Sequence, residues 1–183
     1  PLRPTNYYGY TKLSIEHNLK WFSKLKKLKY ASLRYFNASG YDIKQRVSGL
    51  ETNPQNLIPI VMEAALGIRS NVEIFGNSYE TSDGTGVRDY IHVTDLAIAH
   101  IESLKYLHKT NKDLIVNLGT GKGYSVLDVI RKTSEISGER IEYVYGSLRD
   151  GDPPETIAKV TLAKKLINWE AEYSDLETII SST

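Results

Sequence analysis

Residues Tyr7 to Asn37 read YYGYTKLSIEHNLKWFSKLKKLKYASLRYFN, and the change of pattern inside this stretch decides the fold class. Tyr8, Lys12, Ile15, Leu19 and Phe22 recur at steps of four and three, which puts them on one face of a helix over Tyr7 to Leu28. Lys29 to Asn37 (KYASLRYFN) then reads as a strand.

The alternation continues outward from this unit. Asn37 to Pro54 is a long polar loop carrying Gly40 and Gly49, and Asn56 to Leu66 reads as a helix closed by Gly67. Val72 to Phe75 is a short strand, Gly76 to Gly86 a polar loop, and Val87 to His92 another strand. Thr94 or its neighbour is expected to cap a helix running to about Leu107. A strand over Leu114 to Leu118, a Ser125-capped helix to about Ile136 and a strand over Ile141 to Tyr145 follow. Two short helices, near Thr161 to Leu166 and Ser174 to Ile180, complete the pattern. Strands alternating with helices predict an α/β arrangement with some parallel pairing. The Arg149 to Pro154 stretch (RDGDPP) reads as a hinge-like loop rather than a linker between independent domains.

Composition bounds the function. The 183 residues fit one domain or part of a larger one, and 40% hydrophobic with 25% charged residues suits a folded globule. A net charge of +1 gives no global attraction to nucleic acid or to a membrane surface, so neither is an expected partner. Without cysteine there is no disulfide, thiolate metal site or cysteine nucleophile, which fits a reducing compartment; the expected location is the cytoplasm. No apolar run is long enough to cross a bilayer. The first residue is Pro1 and the one methionine is Met62, so the sequence is expected to be a piece of a longer protein.

The chemistry starts at Tyr8-Gly9-Tyr10-Thr11-Lys12, a Tyr-x-x-x-Lys element one helical turn long. A phenol titrates near 10, too high for a base at neutral pH. A neighbouring ammonium stabilises the phenolate and lowers that value, so the pair is suited to passing a proton to and from a hydroxyl. With 13 tyrosines in the chain the spacing arises about once by chance, so spacing alone decides little. The four histidines, His17, His92, His100 and His108, lack ligand spacing, and no metal site is expected. Gly119-x-Gly121-x-Gly123 follows a strand and precedes a helix as a dinucleotide fingerprint does, but Tyr124 stands where the third glycine belongs. It reads as a tight turn into the Ser125-capped helix. Lys20 to Lys29 (KWFSKLKKLK) reads as the solvated end of the first helix, with its apolar residues packed or at a subunit contact.

Tyr-x-x-x-Lys followed by a strand ending Leu33-Arg34-Tyr35-Phe36-Asn37 resembles the extended short-chain dehydrogenase/reductase superfamily. Within it, Asn56-Leu57-Ile58-Pro59, Ile74-Phe75-Gly76-Asn77 and Asp83-Gly84-Thr85-Gly86-Val87-Arg88-Asp89-Tyr90-Ile91-His92-Val93 resemble the UDP-galactose 4-epimerases. Asn117-Leu118-Gly119-Thr120-Gly121 and Arg149-Asp150-Gly151-Asp152 continue the match, so the resemblance covers essentially the whole chain and corresponds to that family's C-terminal half.

The resemblance implies the last part of an NAD(P)-binding Rossmann-like domain over 1–40. It implies a small mixed α/β nucleotide-sugar domain over 41–183, with segments near 86–118 returning to the cofactor domain. It implies NAD as cofactor, a UDP-sugar as substrate and a homodimer formed through the first helix. Tyr8 would be the catalytic acid and base, Lys12 would hold the nicotinamide ribose, and Phe36 would lie against the nicotinamide. Asn37, Asn56 and Leu57 would contact the nucleotide sugar, and Phe75 would lie at the uracil. Arg88 and Arg149 would clamp the diphosphate, with Tyr90 and Asp152 completing the nucleotide contacts. Thr156, small where some members carry an aromatic residue, would leave room for N-acetylated sugars. The implied reaction interconverts UDP-glucose and UDP-galactose through a 4-keto sugar. The family's glycine-rich cofactor loop precedes Tyr-x-x-x-Lys, so this stretch alone is expected to be inactive, with exposed apolar surface and open sheet edges. Two other readings stay open: another nucleotide-sugar enzyme of the superfamily, such as a 4,6-dehydratase or decarboxylase, or a binding module without catalysis. The Thr81 to Arg88 stretch (TSDGTGVR) favours the epimerases over the first of these.

Overall fold

In the computed structural model, which describes residues 2–47, 49 and 51–183, the first helix begins where Asn6 turns its side chain back to accept from the Gly9 amide at 2.9 Å. This helix, α1 (Tyr7–Lys26), ends at Lys27 in a left-handed conformation, φ 56°. It leads into β1 (Ala31–Tyr35) and directly into a second short strand, β2 (Asn37–Ser39), inside the stretch anticipated as loop.

After a loop, α2 (Leu57–Ala65) is stopped by Gly67, whose φ of +71° strains any other residue. Then come β3 (Val72–Phe75), β4 (Val87–Arg88), β5 (Tyr90–His92), α3 (Val93–Thr110) and β6 (Leu114–Leu118). The rest of the chain is β7 (Tyr124–Ser125), α4 (Val126–Ser137), β8 (Tyr143–Gly146), β9 (Glu155–Thr156), α5 (Thr161–Ile167) and α6 (Leu176–Ser182). Helix α4 carries the anticipated Ser125 cap, strengthened by a reciprocal bond from Asp128 to the Ser125 amide. The cap of α3 is a correction: it is His92, whose Nδ1 accepts from the Thr94 amide at 3.0 Å, and Thr94 does not cap.

Among the described residues the strands form four small sheets. β1 pairs with β6, β2 with β5 and β3 with β8, all in parallel. β4 lies between antiparallel β7 and parallel β9. The expected single strand over Val87 to His92 is therefore two, and Asp89 is the residue where the chain changes ladder. Its amide donates to Thr156 O, and its carbonyl accepts from Asn37 N.

Two apolar cores result. Ile58, Val61, Val72, Ile74, Val129, Ile130 and Ile179 pack α2, α4 and α6 on β3. Leu96, Ala99, Leu114, Val116, Leu118, Ala163 and Trp169 pack α3 and α5 on β6. Strand β5 serves both, because side chains alternate across a strand: Tyr90 enters the first core and Ile91 the second.

Helix α1 departs from this economy. It has no buried residue, and on the anticipated apolar face Tyr8, Ile15 and Phe22 are more than half exposed. What attaches it is polar: Arg34 of β1 grips Glu16 with Nε and a terminal nitrogen, Ser32 adds a third bond, and Ser23 donates to Asp113 at 2.6 Å. The Arg34 hydrogen bond holds the Glu16 carboxyl below its ordinary value. Among the described residues β1 pairs on one side only. The exposed apolar surface and open edge expected for this stretch are both present. None of the described helices is long and apolar enough to cross a membrane.

His92 makes stability depend on pH. It is buried, with Nδ1 committed to the Thr94 amide and Nε2 3.0 Å from Ser182 Oγ. Ser182 gives its own proton to Ile179 O, so Nε2 carries the hydrogen. Burial pushes the imidazole below its ordinary value, against the pull of Asp95, Asp175 and Asp42. The unfolded chain therefore takes up a proton before the folded one. The stability due to neutral His92 is complete above the unfolded value of about 6.5, and it is lost as the pH falls through that value toward the folded one. Urea unfolding at about pH 7.5 and about pH 5.5 is expected to show a lower midpoint at the acid pH, with a smaller difference in His92→Gln. An equal difference in both proteins contradicts this role for His92.

Candidate active site

The carboxyl ends of parallel strands are where α/β folds place ligands. Here β1 runs out at Phe36 and β3 at Phe75, and both residues line one cleft of about 540 Å³. The same cleft is lined by Tyr8 from the first turn of α1, Asn37 from β2, Leu57 opening α2, Arg88 from β4 and Tyr90 from β5. Asn56 also faces it from the N-cap position of α2, where its side chain makes no capping bond. Arg149 and Asp152 close it from the turn between β8 and β9. Six separate segments thus converge, and each supplies at least one residue anticipated from the sequence.

Two anticipated residues lie outside the lining. Lys12 stands one turn along α1 from Tyr8 with its ammonium 4.9 Å from the centre of the Tyr8 ring, so the pair is assembled although Tyr8 alone reaches the cleft. Thr156 pairs with Arg88 in the ladder of β4 and β9, and its carbonyl accepts from the Asp89 amide at 3.0 Å. The structure gives Thr156 a place in the sheet rather than on the pocket wall.

The polar groups of the cleft are held in different ways. The Asn37 side-chain amide donates to Asp89 O at 2.9 Å. Arg88 donates to Val87 O and to the carbonyls of Pro153, at 3.0 Å, and Pro154, and lies 3.6 Å from Asp152. This fastens the Arg149 to Pro154 turn against β4. Tyr90 is buried, and burial pushes its phenol well above the ordinary value despite the opposing pull of Arg88. It therefore keeps its proton at neutral pH. Tyr8 is the other anticipated tyrosine of the cleft and is open to solvent, with a cation beside it.

Sequence reasoning assigned no role to Asp89. Its buried carboxylate accepts from Thr120 N at 2.9 Å, Thr120 Oγ1 at 2.8 Å, Gly121 N at 3.0 Å and Ala158 N at 3.1 Å. The glycine-rich turn thus already holds an anion, supplied by the protein. A Cβ on Gly119 would sit 2.5 Å from that of Ala158 and 2.7 Å from Asp89 Oδ2, so internal packing accounts for this glycine. Glu73, Tyr79 and Val126 also line the cleft without having been anticipated. Of these, only Glu73 had a signal in the sequence, since it shares a strand face with Phe75 two residues on.

Among the described residues no cluster of acidic and histidine side chains could hold a metal. The fit to a dinucleotide is partial. Tyr8 and Phe36 line the cleft together, with Lys12 beside Tyr8, while the glycine-rich turn at 119–123 is filled by Asp89.

Comparison with known proteins agrees with this geometry. The profile of the NAD dependent epimerase/dehydratase family matches residues 1–119. A UDP-glucose 4-epimerase of Halalkalibacterium halodurans is 43% identical over 180 residues, covering 98% of this chain and 54% of the relative. The crystal structure of a UDP-glucose-4-epimerase from Stenotrophomonas maltophila with bound NAD and formylated UDP-arabinopyranose superposes with a TM-score of 0.90 at 38% identity, over 96% of this chain and 53% of that one. The UDP-glucose 4-epimerase of Bifidobacterium longum in complex with NAD+ and UDP gives a TM-score of 0.88 at 36% identity, over 100% of this chain and 55% of that one. The chain spans about half the length of the relatives it matches. With a mixed α/β fold, a Tyr-Lys pair at the mouth of a strand-end cleft and these relatives, the chain belongs to the NAD dependent epimerase/dehydratase family.

Proposed function

We propose that the full-length protein is a UDP-glucose 4-epimerase that interconverts UDP-glucose and UDP-galactose with NAD as cofactor. One observation carries the reading: a single cleft gathers Tyr8 with Lys12 beside it, two arginines suited to a diphosphate, and asparagines suited to a sugar. NAD, when bound, would take a hydride from the sugar's C4 and return it. Tyr8 would accept the 4-hydroxyl proton and later give it back, with the Lys12 ammonium stabilising the phenolate. Asn37 and Asn56 would orient the sugar, and Arg88 and Arg149 would neutralise the diphosphate with paired donors. Residues 1–40 are assigned to the cofactor domain and most of 41–183 to nucleotide-sugar binding, with 86–118 returning to the former. Because the chain spans about half the length of its relatives, the activity is proposed for the full-length protein. The uncovered face of α1 supports a homodimer formed through that helix, and the absence of cysteine supports a cytoplasmic location.

The test is conversion of UDP-galactose to UDP-glucose by the full-length protein, paired with calorimetry of UDP binding. Arg88→Ala is expected to weaken UDP binding by about 1.5–3 kcal/mol, roughly ten- to a hundredfold in Kd. No conversion by the wild type sinks the reading, and unchanged UDP affinity in the variant removes Arg88 from the clamp.

A further inference from the structure

Arg88 and Arg149 face the same cleft in opposite conditions. The Arg88 guanidinium is bonded to three carbonyls. Among the described residues the Arg149 guanidinium makes neither a hydrogen bond nor an ion pair, and only the backbone carbonyl of the residue is engaged, by the Asp152 amide. Its contact is with an aromatic ring: the guanidinium carbon lies 3.6 Å from the centre of the Phe75 ring. That is stacking distance between two flat groups, and both residues line the cleft. Phe75 is fixed at the end of β3 by its pairing with Gly146, whereas Arg149 is exposed in the following turn. The ring is held by a paired strand, and the guanidinium belongs to an exposed turn. A planar nucleobase and a planar guanidinium make the same kind of contact with such a ring, and one face cannot hold both.

We propose that Arg149 makes this site selective for nucleoside diphosphates over nucleosides by competing with the base for Phe75. The inference rests on the UDP-sugar reading above. Arg149 covers the ring before a ligand enters. An entering base displaces it, and the freed guanidinium turns its unused donors onto the diphosphate. A nucleoside has to break the Arg149–Phe75 contact and offers the displaced cation nothing in return. A nucleoside diphosphate breaks the same contact and replaces it with charge-assisted hydrogen bonds. Arg149 therefore acts against one ligand and for the other, which a simple phosphate clamp does not do.

The experiment compares uridine and UDP binding to the full-length protein by NMR titration, in wild type, Arg149→Ala, Phe75→Leu and the double variant. Arg149→Ala is expected to bind UDP about tenfold or more weakly. The same substitution is expected to bind uridine about two- to fivefold more tightly, the equivalent of one exposed cation–π contact removed. In the Phe75→Leu background, Arg149→Ala should leave uridine affinity unchanged, because there is no ring to uncover. Uridine binding that weakens or stays constant in Arg149→Ala, while UDP binding weakens, overturns the exchange and leaves the UDP-sugar reading standing. Failure of the wild type to bind UDP overturns both.

Discussion

Replacing Tyr8 by phenylalanine in the full-length protein is expected to slow interconversion of UDP-glucose and UDP-galactose by roughly 10²–10⁴-fold while leaving UDP affinity close to wild type. The magnitude is that of general acid–base assistance lost from one positioned group. The separation of the two effects follows from geometry. The substitution removes one oxygen from an exposed side chain and leaves Lys12 and the arginines untouched. The buried phenol of Tyr90 keeps its proton and is no substitute base. Turnover assays set beside calorimetry with UDP check both halves, and near-normal turnover in Tyr8→Phe would remove Tyr8 from the proton transfer.

The largest stability effect is expected at Asp89. Its carboxylate is fully buried, and among the described residues no cationic side chain pairs with it. It accepts instead from amide and hydroxyl donors of Thr120, Gly121 and Ala158. Asp89→Ala leaves the amides of Thr120, Gly121 and Ala158 without this acceptor, whereas the Thr120 hydroxyl can turn to Lys122 O at 3.1 Å. The amide of Ala158 is buried and loses its partner outright, while that of Gly121 has water within reach. Unsatisfied buried groups cost about 1–3 kcal/mol each, so a loss of about 3–5 kcal/mol is expected in urea unfolding. This is a large part of the 5–15 kcal/mol typical of a folded protein. Asp89→Asn should fall between, since it keeps one acceptor oxygen and turns an NH₂ toward donors. A loss below about 1 kcal/mol for Asp89→Ala contradicts the assignment.

What the sequence revealed follows the range of the interactions. Helices α2 and α4 were legible because local chemistry starts or stops them: Gly67 takes up the left-handed turn after α2, and Ser125 caps α4. The residues of the cleft were legible through the resemblance rather than through spacing, since only Tyr8 and Lys12 meet across a single helical turn. Features made by distant partners were not legible. The division of Val87 to His92 depends on Thr156 and Asn37 taking the two backbone groups of Asp89. The cap on α3 depends on His92, a residue type seldom read as a cap. The contact of Arg149 with Phe75 joins residues on either side of α3 and α4. The face of α1 bearing Tyr8, Ile15 and Phe22 has the right helical period, but periodicity does not say what will cover it.

The two buried carboxylates also set a timetable for the nascent chain. Asp89 is satisfied in part by Ala158, 69 positions later, and Asp95 by the amides of Glu172 and Tyr173 and the hydroxyl of Ser174. Until those residues have been synthesised, burying either side chain leaves its oxygens without these hydrogen-bond partners, which penalises early closure of the surrounding strands. At about 5–20 residues per second, the ribosome takes on the order of ten seconds to travel from Asp89 to Ser174.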